Sequence, residues 1–225
     1  MLTVRFVCLF TLIAATCVVA QYSPYGQNLP REWPVQSYPD PHSRDTEQHR
    51  KCGRYNTSNI CDPNGIITRT AADAIDNLIN SMEVDTRCGC FQCDTYKQGY
   101  KIRVALLPNF KRIYRNSNSS SLAMLREVRL FTYMLSQNWR FVGLCNETVV
   151  IVYIKDHNIL YTQTRGNARL KLSDRDITRV TLAVRPYFDK TETIADGIME
   201  MIRRYKLIFQ NDHESALQPS PGKRV

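Results

Sequence analysis

Cysteine and aspartate are the residue types in this chain whose spacing could do chemistry. Cys88, Cys90 and Cys93 form C-x-C-x-x-C, which could give three thiolates to a tetrahedral zinc ion, with Cys52, Cys61 or Cys145 as the fourth ligand. In an oxidising compartment the same thiols pair into disulfides instead, and that is the expectation here. Asp62, Asp73 and Asp76 lie near one predicted helix start, Asp156 follows a predicted strand, and Asp174 and Asp176 lie in a predicted cap. Carboxylates in such places ordinarily cap helices and pair with helix dipoles. The usual catalytic constellations are absent from the sequence: no G-x-S-x-G, H-E-x-x-H, phosphate-binding G-x-x-x-x-G-K-S/T or G-x-G-x-x-G, and no cysteine followed six positions on by arginine. Of the four histidines, His42 and His49 fall in an N-terminal arm and His213 in a tail, which leaves His157 in a predicted hairpin turn.

The N-terminus points to an oxidising compartment. Met1 to Ala20 carries one early charge, Arg5, then an uncharged run from Phe6 to Ala20 that closes Val18-Val19-Ala20 before Gln21. This is the form of a cleaved signal peptide, and the run is shorter than the roughly 20 residues a bilayer span requires. No later segment is long and apolar enough to cross a membrane, so the mature protein is expected to be soluble and secreted, without a lipid anchor. Eight cysteines fall to six once Cys8 and Cys17 leave: Cys52, Cys61, Cys88, Cys90, Cys93 and Cys145. An even number reads as disulfides whose pairing the sequence leaves open. N-x-S/T triplets at Asn56, Asn118 and Asn146 are candidate glycosylation sites in the same compartment. The net charge of +9 is spread without a long basic block. That disfavours nucleic acid and leaves a solvated basic surface, or one that meets an acidic glycan or receptor face.

The elements that must position these residues follow from periodicity and punctuation. Residues 21–50 read as an extended arm, with Pro24, Pro30, Pro34, Pro39 and Pro41 opposing helix. Its Tyr22, Tyr25, Trp33 and Tyr38 are more aromatic than a spacer needs, so the arm either lies against the domain or serves as a contact segment. A domain over residues 51–210 opens with the turn Cys61-Asp62-Pro63-Asn64-Gly65. Thr68 then caps a helix to about Met82, buried through Ala71, Ala72, Ile75, Leu78, Ile79 and Met82. Tyr100 to Leu107 is a strand, and Leu122 to Asn138 a helix with Leu122, Leu125, Val128, Phe131, Leu135 and Trp139 on its buried face. Thr148 to Ile154 is a β-branched run of the kind buried on both faces of a mostly parallel sheet, and Ile159 to Thr164 is its hairpin partner. Ser173 caps a helix that Pro186 ends, and a last helix runs from about Thr191 to Phe209, ahead of a disordered tail over 211–225. Strands alternating with helices predict an α/β domain with helices on both faces of a small sheet.

Read together, the pieces resemble the nematode modulator-of-levamisole-receptor family, a branch of the TPM-domain superfamily. They are Tyr38-Pro39-Asp40-Pro41, Cys52-Gly53, Cys61 to Thr68, Cys88-Gly89-Cys90 with Cys93, Val104-Ala105-Leu106, Trp139 with Gly143-Leu144-Cys145, Tyr161 to Gly166, and a closing helix with Gly197, Met201, Ile202 and Tyr205. The resemblance spans Tyr38 to Phe209. It implies a disulfide-stabilised three-layer α/β/α sandwich, Rossmann-like in outline, outside the cell. It also implies a role as auxiliary partner of a pentameric acetylcholine-gated channel, although no second hydrophobic segment follows Phe209 here. Other TPM domains imply an alternative, a divalent-metal-dependent acid phosphatase whose weight would fall on Asp62 and Asp156; Gly166 is followed by Asn167-Ala168-Arg169, without the acid such relatives show. The expectation is therefore a secreted, non-enzymatic interaction domain with a cell-surface receptor as partner and no cofactor. The phosphatase with its divalent cation, and a matrix component that holds acidic glycans, are the alternatives.

Overall fold

The computed structural model describes residues 29–113, 120–141 and 143–218. The expected signal peptide, the start of the arm and the triplet at Asn118 lie outside the described residues. The sheet is built on two strands, β3 (Lys101–Leu107) and β5 (Thr148–Ile154), paired in parallel along their whole length from Lys101↔Thr148 to Leu107↔Ile154. A two-residue strand, β2 (Ile60–Cys61), adds in parallel to β3, and β6 (Ile159–Thr164) closes the other edge antiparallel to β5, so the order is β2-β3-β5-β6. All seven residues of β5 are buried, as a strand covered on both faces must be. The β5–β6 connection is a short 3-10 turn, Lys155–His157, closed by Asn158 at a φ of 48°. Asparagine tolerates that left-handed conformation better than most residues.

Each face of the sheet buries its own apolar cluster. On one lie Ile102, Val104, Leu106, Val149, Ile151 and Tyr153, covered by α2 (Arg69–Asp85), α6 (Asp174–Val184) and α7 (Ile194–Phe209). On the other lie Ala105, Leu107, Val150, Val152 and Ile154, covered by α4 (Ser121–Asn138). The caps follow the chemistry expected of them. Ala71 N donates to Thr68 Oγ1 at 3.2 Å, and Ser173 forms a reciprocal capping box with Asp176. Helix α7 buries Ile194, Ile198, Met201, Ile202, Tyr205, Ile208 and Phe209, the stripe that its 3.6-residue period predicts. In α4 the predicted stripe is buried from Val128 onward, where the helix meets the sheet and the arm, whereas Leu122 and Leu125 in its first two turns are exposed.

The arm lies against the domain, the first of its two expected places, and departs from an extended form at its end. Trp33, Val35 and Tyr38 are core residues of the α4-side cluster, and the Tyr38 ring packs against Trp33, Phe131 and Trp139. A two-residue strand, β1 (Glu32–Trp33), pairs with β4 (Asn109–Phe110), and the end of the arm forms a short helix, α1 (Thr46–Lys51), capped by Asp45. Proline forbids helix only as far as Pro41, and Asp45 supplies the start signal beyond it. In the segment expected to be a tail, α8 (His213–Leu217) is held by Arg204, whose guanidinium donates to the carbonyls of Ala216 and Gln218.

Candidate functional site

The C-terminal ends of parallel strands are where α/β sheets gather ligands, because the chain diverges there into loops and helix N-termini. Asp62 follows β2 directly, Pro108 follows β3, and Lys155 and Asp156 follow β5. The fold therefore brings the two candidate aspartates to one edge, but with β3 between them. Two strand spacings put their backbones roughly 10 Å apart, so only side chains turned toward each other could share one ion.

Both carboxylates are also engaged. Asp62 is buried in its own turn, its Oδ1 and Oδ2 accepting from Ile66 N and Ile67 N at 2.9 Å each. Burial pushes its pKa up to about 6, while those two N–H groups and the positive charge of Lys155 hold it from going higher. Asp156 takes Arg31 of the arm at 3.1 Å, and its own N–H donates to Pro108 O at 3.0 Å. The arm fills the crevice between them. Trp33 Nε1 donates to Asn64 Oδ1 at 2.7 Å, and Asn64 Nδ2 donates back to Pro30 O. The buried Tyr38 hydroxyl lies 3.0 Å from Cys61 O and 2.9 Å from Leu106 O, spanning β2 and β3 just where they separate. Burial, and then the nearby Asp62, hold that phenol well above its usual range, so it acts as a hydrogen-bond donor. What this edge can do chemically is anchor the arm.

The remaining carboxylates serve structure as well. Asp76 accepts from Asn59 N and Nδ2, and it shares Arg54 with Asp73. Asp174 pairs with Arg169. His157 is exposed in its turn.

The cysteines pair Cys52–Cys61, Cys88–Cys93 and Cys90–Cys145. The first bond is fully buried and ties the end of α1 to β2 beneath the arm. The other two form one corner, where α3 (Phe91–Tyr96) begins at Cys90, whose sulfur accepts from Cys93 N at 3.4 Å. These four sulfurs lie within 4.8 Å of one another, the one group of three or more possible metal ligands among the described residues. Paired in this way they present no thiolate to a zinc ion. The buried Glu147 completes the corner by accepting from Leu144 N and Cys145 N at 3.1 and 2.8 Å. Asn56 and Asn146 are both exposed.

Sequence reasoning singled out the aromatic residues that occupy the crevice but left their place open. The aromatic excess of the arm was the available signal for Trp33 and Tyr38. Nothing local marks Arg31 or Asn64, whose partners are distant in sequence.

Among solved structures, the chain is similar to the N-terminal domain of a protein from P. gingivalis, determined by solution NMR. The two are 14% identical with a TM-score of 0.57, over 82% of this chain and 96% of that one. A second NMR structure, the BA42 protein from the psychrophilic bacterium Bizionia argentinensis, is 15% identical with a TM-score of 0.42, over 65% of this chain and 83% of that one. The first similarity supports the α/β fold and nothing further. No curated protein matches the chain. Residues 33–158, more than half the length and including the arm from Trp33 onward, the Asp62 turn and the six paired cysteines, match the family model described as Modulator of levamisole receptor-1, and the chain belongs to that family.

Proposed function

We propose that this protein is a secreted, non-enzymatic domain that binds a levamisole-sensitive, acetylcholine-gated channel from the extracellular side and modulates it. We also propose that its α/β fold is a TPM-type α/β/α sandwich. Family membership over residues 33–158 carries the reading. Six cysteines in three pairs suit an oxidising compartment, as do exposed sequons at Asn56 and Asn146. Among the described residues no helix is long and apolar enough to cross a membrane.

The hydrolase alternative draws less support. Asp62 is turned into its own loop and Asp156 toward Arg31, with the arm's aromatic residues between them. Divalent-ion-dependent hydrolysis of a chromogenic phosphate ester, lost in both Asp62→Ala and Asp156→Ala, would restore it.

The binding half of the proposal is tested by expressing the tagged chain with the receptor and recovering the receptor from the cell surface. The tagged chain is expected in the medium and in the recovered complex. Secreted chain that never accompanies the receptor overturns the proposal.

A further inference from the structure

The opposite end of the sheet holds a feature that the interaction reading does not use. Strand β2 pairs only with Val104 and Ala105, so the first half of β3 has no strand beside it on that edge. A polar pocket of about 180 Å³ occupies the gap, lined by His42, Asn59, Glu83, Lys101, Arg103, Arg140 and Phe141. Arg103 is its floor. The side chain shares a sheet face with Ala105 and Leu107, in a core position where an arginine is costly unless its charge is met.

That charge is incompletely met by the protein. One guanidinium nitrogen donates to Trp139 O at 3.1 Å and lies 3.6 Å from Asp40, while the group stacks 4.2 Å from the Phe141 ring centroid. Its Nε is buried without a hydrogen-bond partner. A guanidinium has five donors, so this is a thin complement for a buried one. Burial accordingly lowers the Arg103 pKa to about 10, with Asp40 opposing the shift.

The neighbours add positive charge. Lys101 lies 3.6 Å from Glu83. Arg140, held at a φ of 44° at the end of α4, has no carboxylate within ion-pairing distance among the described residues. His42 stands at the rim with Nδ1 on Ser58 O at 2.9 Å. Desolvation, and then Arg103, hold its pKa below the usual value, so it is neutral at pH 7. Lys101, Arg103 and Arg140 set against Glu83 and Asp40 leave one positive charge unmatched.

We propose that this pocket binds a single carboxylate group on a short stem, held between the Arg103 and Arg140 guanidiniums. Charge balance selects a monoanion, since a dianion would overshoot beside Glu83 and Asp40. A planar guanidinium suits a carboxylate better than a lysine-lined site would. The volume is below the roughly 300–1,000 Å³ of pockets for drug-sized ligands, so a small free acid fits, as does one acidic side chain offered by a protein.

The test is the melting temperature of the purified full chain, in sodium acetate and in N-acetyl-glutamic acid α-amide, against sodium chloride at matched ionic strength. The first probe stands for a free acid and the second for a protein side chain. Binding to the folded state raises Tm by mass action, here by about 3–6 °C at saturating millimolar probe. Arg103→Met keeps an apolar stem in the core and removes the guanidinium from Trp139 O and Asp40, so it should lose the rise even where its Tm in chloride is lower. Arg140→Asn, which tolerates the left-handed backbone, should reduce the rise without lowering Tm in chloride. A rise with acetate identifies a free-acid site, and a rise confined to the amide identifies a side-chain site. No rise over chloride with either probe overturns the proposal, as does a rise that survives both substitutions.

Discussion

Asp62 shows how one residue can look catalytic and serve the fold. Its pKa of about 6 lies above the 3.8 of an ordinary aspartate, so the folded state prefers the protonated carboxyl. The stability this contributes is complete below pH 3.8 and is lost as the pH rises through 6. Wild type should therefore lose about 2–3 kcal/mol relative to Asp62→Asn between pH 4 and pH 7, because each pKa unit is worth about 1.4 kcal/mol. Denaturant unfolding of both proteins across that range checks this, and parallel pH profiles would contradict it. Tyr38 can be isolated by the same method. Tyr38→Phe keeps the ring and removes the hydroxyl between Cys61 O and Leu106 O, at a cost of about 1–2 kcal/mol. The Asp62 turn was legible because Asp-Pro-Asn-Gly is local chemistry. The roles of Tyr38 and Arg103 were not, because their partners lie far along the chain and the alternation Lys101-Ile102-Arg103-Val104 reads equally well as a half-exposed strand.

At the scale of elements, the long periodic segments were readable and the short ones were not. Helices α2 and α6 announce themselves through their caps, α2, α4 and α7 through apolar stripes, and β5 through its β-branched run. Helices α1, α3, α5 (Gly166–Lys171) and α8 are five or six residues long, too short for periodicity to register, and they depend on tertiary contacts. The cysteine corner near α3 illustrates that dependence. Gly143 packs so closely on the Glu147 carboxylate that an added Cβ would overlap it, so Gly143→Ala must displace a buried acceptor from Leu144 N and Cys145 N. A loss of about 2–4 kcal/mol in unfolding free energy is expected, combining overpacking with unmade hydrogen bonds. Replacing Cys52 and Cys61 together by alanine should cost about 2–4 kcal/mol, since the cross-link restrains the unfolded chain between α1 and β2. Unchanged unfolding midpoints in either variant would show that these contacts do not hold the elements.

For the molecule as a whole, the arm decides what the sheet can do. A bare crevice at the strand ends would resemble the ligand site of many α/β proteins, whereas here Trp33 and Tyr38 occupy it and the exposed Arg31 pairs with Asp156 at its rim. Trp33→Ala should cost about 3–5 kcal/mol, the loss of a buried indole from a core. An exposed linker residue would give almost nothing in the same measurement. The fold class was legible in the sequence because strands alternate with helices. The inclusion of the arm in the core was left open, because burial of Pro-punctuated aromatic residues depends on a surface assembled from β3, β4 and α4. The central claim, modulation of an acetylcholine-gated channel, is tested most directly by agonist-evoked current. The full chain is co-expressed with a levamisole-sensitive receptor and compared with receptor alone, and its presence in the medium is verified. A reproducible change in peak amplitude or in desensitisation is predicted. Identical currents with the chain secreted would contradict it.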